Sequence, residues 1–417
     1  MISTTRALAR IRVSGHRSSS HFATIPMAPP DAIMGLNDDY AKESNPLKVN
    51  VGIGAYRTDE GKPFVLSCVR EAEGILAAQM ASGELNQEYS GIAGCPEFVG
   101  NSIEFAYGNR PQNIQGVQTL SGTGGLRIWG EFLKKFHPHK NIYLPNPTWG
   151  NHIPIMANAG LEVRKYRYYD FEKRKVDTQG LLEDMDAASD GSCFLLHACA
   201  HNPTGYDLSK AEWGEISQLM KKKSHLPFFD CAYQGFASGN SETDAYSIRK
   251  FVEDGHTLGL VQSYSKNFGL YGQRVGCLSV VGKDKDEATS TVSQLKGLIR
   301  PSYSNPPRHG VRIVNTILND ATLKASFVSE CKGMADRIDS MRTELKSNLL
   351  AAGSTRNWDH VTTQIGMFAF SGLTEPEVLK MRKKWAIYCT NDGRISMAGI
   401  TSSNVKYVAE AIHDVTK

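Results

Sequence analysis

The stretch SYSKNFGLYGQRVG, residues 263–276, lies between two apolar runs, 257–262 and 274–281, that have the length of buried strands. Similar runs recur through residues 115–281, and segments with helical periodicity separate them. Strands that alternate with helices predict an α/β layer built around a mostly parallel, buried sheet. Ligands bind such sheets at the carboxyl ends of the strands, and Lys266 follows one of those ends.

Seven apolar runs carry this pattern, and four helices are predicted between them. The predicted strands are 116–120, 141–144, 161–168, 193–198, 227–229, 257–262 and 274–281, and the predicted helices are 124–136, 150–159, 209–222 and 245–252. After Pro307 the sequence turns helical, and residues 321–352 indicate one long helix or two in succession.

The 417 residues exceed the usual size of a single core, so we expect two domains. The large domain, residues 64–332, is predicted to hold the seven-stranded sheet between layers of helices. Residues 333–417 mix short strands with helices, and residues 23–63 have no core pattern of their own. The two chain ends are therefore expected to form a smaller α+β domain together.

The charge of +4 is concentrated in the first 22 residues, which contain four arginines and neither Asp nor Glu. The rest of the chain is balanced, which argues against nucleic acid as a partner. No apolar run reaches the roughly 18 residues of a membrane span. A basic, Ser-rich leader with interspersed apolar residues is typical of a mitochondrial transit peptide. The alternative is an unstructured tail without a targeting role.

The eight cysteines include no Cys-x-x-Cys pair, so neither a disulfide framework nor a zinc site is expected. Cys193, Cys199 and Cys277 lie in apolar runs, where a free thiol packs as a small hydrophobic group. No metal is therefore expected at the functional site.

A phosphate pocket beside an amine is predicted around Lys266. Burial at a strand end favours the neutral, nucleophilic form of a lysine, although a lone lysine there is more often a solvated surface charge. Ser263 and Arg274 supply a hydroxyl and a guanidinium for a phosphate. The turn SGTGG, residues 121–125, adds Ser121, Gly122 and Thr123 where a helix begins, unless it is just a tight connection.

A flat, protonated ring is the ligand indicated by the residues after the other strands. Asp230 ends a very apolar strand, where a carboxylate needs a cation such as a pyridinium N–H, unless it caps a helix. Tyr233 and Asn202 are placed to reach a ring oxygen, and Trp149 to stack on the ring. His152, one helical turn after Trp149, is placed to support Asp230.

The sequence resembles the aspartate aminotransferase family, class I within the fold type I pyridoxal-phosphate enzymes, from about Met27 to the C-terminus. The stretches that carry the resemblance are VGIGAYRTDEGKPF (51–64), SGTGGLRIWG (121–130), PNPTWGNH (145–152), HACAHNPTGYDLS (197–209), FFDCAYQGFASG (228–239), SYSKNFGLYGQRVG (263–276), LIRPSYSNPP (298–307) and DGRISMAG (392–399). Together with the basic leader, they are most similar to the mitochondrial branch of that family and imply the mitochondrial matrix.

The resemblance implies a role for each site residue. Lys266 is the Schiff-base lysine and proton carrier of pyridoxal 5′-phosphate. The other cofactor contacts it implies are Asp230, Tyr233, Asn202, Trp149, Ser121, Gly122, Thr123, Ser263, Arg274 and Tyr89. The substrate contacts it implies are Gly54, Trp149, Asn202, Arg300 and Arg394, with Arg394 on the α-carboxylate and Arg300 on the side-chain carboxylate.

The family is a homodimer with shared active sites, so Arg300 and Tyr89 are expected to serve the neighbouring subunit. The implied reaction is reversible ping-pong amino transfer between L-aspartate and 2-oxoglutarate, giving oxaloacetate and L-glutamate. Small dicarboxylic amino acids and 2-oxo acids are thus the expected substrates. The alternatives are an aromatic-amino-acid aminotransferase, a decarboxylase of the same cofactor, and a binding protein on an inactive enzyme scaffold. The sequence departs from the family at Gln273 and at 94–96.

Overall fold

The computed structural model describes residues 20–28 and 34–417. Its helices are α1 (Met34–Lys42), α2 (Ser67–Ala81), α3 (Pro96–Tyr107), α4 (Ser121–Phe136), α5 (His152–Asn158), α6 (Thr178–Ala187), α7 (Lys210–Lys222), α8 (Ser241–Asp244), α9 (Tyr246–Glu253), α10 (Lys285–Ser302), α11 (His309–Asn319), α12 (Ala321–Ala351), α13 (Asp359–Thr363), α14 (Glu375–Trp385) and α15 (Val405–Thr416). Its strands are β1 (Val49–Asn50), β2 (Ile114–Leu120), β3 (Asn141–Asn146), β4 (Glu162–Arg167), β5 (Tyr169–Asp170), β6 (Lys175–Val176), β7 (Cys193–His197), β8 (Leu226–Cys231), β9 (Leu258–Ser263), β10 (Val275–Val281), β11 (Phe368–Phe370), β12 (Ile387–Tyr388) and β13 (Arg394–Ser396).

The central sheet has seven strands in the order β2-β10-β9-β8-β7-β3-β4. Each of them overlaps one of the seven predicted apolar runs, so the prediction of an α/β fold with a seven-stranded sheet is confirmed. The sheet is mostly parallel, and β10 is antiparallel to both of its neighbours, β2 and β9. The long predicted helix is a single one, α12.

Both faces of this sheet are buried. Phe228 and Val261 belong to one apolar cluster with Trp129 of α4, whereas their chain neighbours Phe229 and Leu260 belong to another. Successive side chains of a strand point to opposite faces, so an unbroken apolar run fits a sheet covered on both sides.

The strand ends bring the functional stretches to one edge of the sheet. Strands β3, β7, β8 and β9 are parallel neighbours, so their carboxyl ends lie together. Strand β2 ends, and antiparallel β10 begins, at the same edge, because Leu120 pairs with Val275. The chain segments after these strands therefore meet there, although they are far apart in sequence.

The two chain ends contact each other away from this sheet. Strand β1 pairs with β12 in parallel, and β11 pairs with β13. Helices α12 and α15 pack together. The predicted domain boundary at residue 332 falls inside α12, which continues through it, and the division into two domains stays a prediction.

The leader falls mostly outside the described residues, since only residues 20–22 of the predicted 1–22 are described. Within residues 20–28 and 34–417, no helix is long and apolar enough to cross a bilayer. All eight cysteines lie in this part of the chain as free thiols, and those predicted to pack in the core, Cys193, Cys199 and Cys277, are buried.

Candidate active site

A cavity of about 410 Å³ opens at the edge of the sheet where the strands end. Its volume falls in the range of small-molecule and cofactor sites. Its lining is drawn from both chain ends and from the central sheet: Ile53, Gly54, Ala55, Ser121, Gly122, Thr123, Leu126, Trp149, His197, Cys199, Asn202, Asp230, Ala232, Tyr233, Ser263, Ser265, Lys266, Tyr271, Arg274, Phe368 and Arg394. Residues from eight separate stretches thus form one site.

Three hydroxyls and a guanidinium converge on one side of the cavity. Ser121 Oγ lies 3.0 Å from Ser263 Oγ and 2.9 Å from Ser265 Oγ. Arg274 Nη1 lies 3.5 Å from Ser265 Oγ and donates to Tyr271 O at 2.9 Å. A cluster of hydroxyl donors with an arginine and the first turn of α4 is suited to a phosphate.

The backbone at this phosphate pocket is held in an unusual shape. Ser121 and Arg274 have left-handed φ values of 60° and 54°, and Ser121 N donates to Arg274 O at 3.1 Å. Gly276 allows this approach, because a Cβ there would fall 2.6 Å from the carbonyl carbon of Ser121. Helix α4 consequently begins at Ser121, three residues earlier than predicted, and Ser121, Gly122 and Thr123 of its first turn line the cavity.

Lys266 lies in the same cavity with its amine over the ring of Tyr271, 5.0 Å from the ring centroid. Burial, together with the positive charges of Arg274 and Arg394, lowers the pKa of Lys266 to about 8. The amine is thus available in its neutral form close to neutral pH, as a nucleophile or a base requires.

A chain of polar contacts leads from Asp230 through His152 and Thr148 to His197. His152 Nε2 lies 3.0 Å from Asp230 Oδ2, and His152 Nδ1 lies 2.8 Å from Thr148 Oγ1. Thr148 Oγ1 is also 3.1 Å from His197 Nε2. Burial lowers the pKa of His197 to about 3, so this ring is neutral. The contact expected between His152 and Asp230 is present, and it leaves Asp230 Oδ1 available to a ligand.

Arg394 also lines the cavity and is 5% exposed. Its Nη1 donates to Asn202 Oδ1 at 3.1 Å and its Nη2 to Gly52 O at 2.9 Å. The guanidinium lies 4.1 Å above the ring of Phe368. Among the described residues no hydrogen-bond partner is found for Arg394 Nε. No carboxylate in the described part of the chain forms an ion pair with this buried cation, which prepares it for an anionic ligand.

The remaining predicted residues of the cavity complete its walls. Burial raises the pKa of Tyr233, which keeps its hydroxyl protonated. Trp149 is half-buried, with its ring edge-on to His152 at 5.2 Å. Gly54 brings backbone to the cavity, where a Cβ would fall 2.7 Å from Phe368 Cζ. Thr123, in the first turn of α4, lies beside Gly122 on the phosphate side.

Two predicted site residues lie elsewhere. Tyr89 is 83% exposed, and Arg300 is an exposed residue near the end of α10 whose guanidinium donates to Ser304 Oγ. Neither lines the cavity formed by the described residues of this chain. We call the four cavity residues Lys266, Asp230, Arg274 and Arg394 the buried half of the site, after their place in the cavity: Arg394 is buried, Lys266 and Asp230 are half-buried, and Arg274 is exposed. We call Tyr89 and Arg300 the exposed pair.

Four contributors were missed by sequence reasoning: Ser265, Tyr271, His197 and Phe368. Ser265 and Tyr271 lie in the opening stretch 263–276, and their closeness to Lys266 was a usable signal. His197 is the last residue of β7, and Asp230 lies near the end of the neighbouring strand β8. The two residues are paired in the register of these strands. Phe368 lies 102 positions after Lys266, and nothing in its own neighbourhood indicates that it supports Arg394.

Comparison with known proteins places these features in context. The family model for class I and II aminotransferases matches residues 46–412. The chain is 51% identical over 415 residues to the mitochondrial aspartate aminotransferase of Arabidopsis thaliana, covering 97% of this chain and 95% of that protein. The structure of a mitochondrial aspartate aminotransferase from Trypanosoma brucei has a TM-score of 0.87 and 41% identity, over 92% of this chain and 100% of that one. An aromatic-amino-acid aminotransferase from Burkholderia pseudomallei, covalently bound to pyridoxal phosphate, has a TM-score of 0.91 and 39% identity, over 96% of this chain and 100% of that one.

Proposed function

This chain belongs to the class I and II aminotransferase family, and from that premise we propose that it acts as an aspartate aminotransferase. It transfers an amino group reversibly between L-aspartate and 2-oxoglutarate, giving oxaloacetate and L-glutamate. The observation that carries this function is the buried half of the site. One cavity holds a lysine amine, a carboxylate and two guanidiniums, and the charges of both guanidiniums act on the lysine.

Pyridoxal 5′-phosphate is the cofactor, and the residues present fit it. The cavity contains three cationic side chains, Lys266, Arg274 and Arg394, against the single carboxylate of Asp230, so it favours anionic ligands. The phosphate pocket, Asp230 and Lys266 line the same cavity, so these residues would hold the phosphate, the ring nitrogen and the reactive carbon side of the cofactor. When bound, the cofactor supplies an electron sink for negative charge that develops at the substrate α-carbon.

We assign proton transfer to Lys266. Its lowered pKa leaves the amine free to take the α-proton from the substrate and to return a proton in the reverse half of the cycle. The ring of Tyr271 restricts where Nζ can move. Asp230, fixed by His152, holds a proton on the ring nitrogen and so sustains the electron sink.

We assign substrate binding to two arginines that recognise one carboxylate each. Arg394 binds the α-carboxylate through its guanidinium. The Nε of this group has no partner among the described residues, and its Nη1 donates to Asn202 Oδ1. Arg300 binds the side-chain carboxylate, and Tyr89 the cofactor phosphate, in the site of a second copy of the chain. The exposure of both residues supports a homodimer with shared sites.

The mitochondrial matrix is the proposed location, supported by the basic leader and by a relative named as mitochondrial. Residues 64–332 are the proposed cofactor-binding domain, and residues 23–63 with 333–417 the smaller one. A fusion of residues 1–22 to a fluorescent protein tests the location, since cytosolic fluorescence would contradict it.

The half-reaction tests the function. Purified protein loaded with pyridoxal phosphate is mixed with L-aspartate and no acceptor. We expect one oxaloacetate per active site and a change in cofactor absorbance that 2-oxoglutarate reverses while glutamate forms. Protein that binds the cofactor but gives no oxaloacetate would contradict the proposal. The same test with L-phenylalanine examines the alternative, an aromatic-amino-acid aminotransferase, which we expect to be the slower reaction.

A further inference from the structure

Two surface loops carry the exposed pair, and they lie against each other. The Tyr89 loop, residues 86–95, and the Arg300 loop, residues 300–308, which begins in the last turn of α10, are joined by four hydrogen bonds. Arg308 Nη1 donates to Asn86 Oδ1 at 3.1 Å. Asn305 Nδ2 donates to Ser90 O at 2.6 Å, and Ser90 Oγ donates to Pro306 O at 2.8 Å. Arg308 Nη1 donates to Glu88 O at 2.7 Å. The loops therefore form one unit instead of two independent segments.

Gln118 of β2 is the residue on which this unit rests. Its side chain uses both ends: Oε1 accepts from Cys95 N at 3.1 Å, and Nε2 donates to Pro307 O at 2.6 Å. Its backbone N donates to Ala93 O at 2.9 Å, and its backbone O accepts from Tyr303 Oη at 3.4 Å. Two of these bonds reach the Tyr89 loop and two reach the Arg300 loop.

The position of Gln118 in the sheet explains why its polar groups are available. Strand β2 is an edge strand, so one side of it has no strand partner in the sheet. Both loops cover that side at Gln118, which is 1% exposed. Gly94, at φ 85°, allows the close approach, because a Cβ there would fall 2.2 Å from Gln118 Cβ. A buried amide with both ends satisfied fixes geometry, and its loss leaves buried partners unpaired.

We infer that Gln118 is a positioning residue that holds Arg300 and Tyr89 in place for the active site of the neighbouring copy. This inference rests on the shared dimeric site proposed above. It extends that proposal by naming the residue that fixes the position of Arg300, which binds the side-chain carboxylate of the substrate. Gln118 touches neither substrate nor cofactor, and it acts through the two loops.

Substitution at Gln118 tests its effect on substrate selection. Gln118→Met keeps the length of the side chain and removes its hydrogen bonds. We expect kcat/KM for L-aspartate to fall about 10- to 100-fold, mainly through KM, while kcat/KM for L-phenylalanine falls less than about threefold. Gln115→Met is the matched control on the same strand, because Gln115 bonds Thr289 on the surface, and we expect no change. If Gln118→Met prevents folding, the same comparison of kcat/KM values is made with Gln118→Glu, which keeps the acceptor for Cys95 N.

Mixed dimers decide through which subunit Gln118 acts. Co-expressed chains with different tags give hybrids of a Lys266→Ala subunit and a Gln118→Met subunit. The one working lysine then belongs to the Gln118→Met subunit, and its Arg300 comes from the subunit with native Gln118. We expect the native KM for aspartate and about half the native activity per dimer.

A hybrid that keeps the raised KM would overturn the inference, because Gln118 would then act within its own subunit, through the nearby Ser121 turn. Equal losses on aspartate and phenylalanine in the Gln118→Met homodimer would overturn it as well. A second hybrid, Lys266→Ala with Arg300→Leu, separates the two proposals. If that hybrid also fails to recover, the shared site itself is wrong and the role of Gln118 falls with it.

Discussion

The two arginines assigned to substrate carboxylates lie in opposite environments. Arg394 is 5% exposed, lies over the ring of Phe368 and donates a hydrogen bond to Asn202 in the cavity wall. Arg300 lies on the surface, outside the cavity, with Ser304 of its own loop as its partner. The buried half of the site is thus formed within one chain, whereas in the proposed homodimer the exposed pair serves the site of a second copy. The buried half and Tyr89 should therefore serve every substrate, and Arg300 should distinguish among them.

The largest expected effect is on the buried half itself. Lys266→Ala removes the amine that carries the proton, and we expect turnover of aspartate to fall at least about 10⁴-fold. Lys222→Ala, a change at a surface lysine 75% exposed, is the control and should leave turnover within about twofold. Turnover above about 1% of native in Lys266→Ala would mean that another group moves the proton.

Arg394→Leu should affect all substrates alike. Each charge-assisted hydrogen bond contributes about 1.5–3 kcal/mol, so losing a two-point carboxylate contact should lower kcat/KM about 10²- to 10⁴-fold. The comparison predicts the same loss for L-aspartate and L-phenylalanine, because both have an α-carboxylate. Steady-state kinetics with both amino acids check this. A loss confined to aspartate would mean that Arg394, and not Arg300, binds the side-chain carboxylate.

The pH dependence of cofactor capture reports the buried amine. Burial and two neighbouring arginines disfavour the charged form of Lys266, so its pKa is lowered, and the neutral amine predominates above about pH 8. The rate at which cofactor-free protein binds pyridoxal phosphate should rise about tenfold from pH 7 to pH 9 and then level off. Stopped-flow absorbance measures this rate. A rate still rising steeply between pH 9 and 10 would indicate an ordinary lysine.

Tyr271 offers the smallest test of the buried half. Its ring lies under Lys266 Nζ, and its hydroxyl accepts a hydrogen bond from Tyr56 N at 2.9 Å. A cation over a ring gains about 0.5–1 kcal/mol, so Tyr271→Leu should lower the midpoint of cofactor capture by about half a pH unit. Tyr271→Phe keeps the ring and should keep the native midpoint. Equal midpoints in both variants would exclude a role for the ring.

The sheet and the buried half were accessible from the sequence because their signals are local. Central strands such as β7 and β10 are nearly continuous apolar runs, and Ser121, Asp230 and Lys266 lie within three residues of a strand end. The missing parts depend on contacts that no local pattern encodes. Phe368 reaches the cavity from the far end of the chain, and the early start of α4 depends on a left-handed Ser121 backed by Gly276. Gln118 reads as an ordinary strand residue, since its importance comes from two loops that cover the sheet edge.

Selection of a dicarboxylate by Arg300 of the exposed pair is the central claim, and one ratio tests it most directly. The ratio is kcat/KM for L-aspartate divided by kcat/KM for L-phenylalanine, measured for the native holoenzyme and for Arg300→Leu. We predict that the native enzyme favours aspartate by about 100-fold or more and that Arg300→Leu loses most of this preference, because its pocket no longer pairs a second carboxylate. A native preference for phenylalanine, or a ratio unchanged in Arg300→Leu, would contradict the claim.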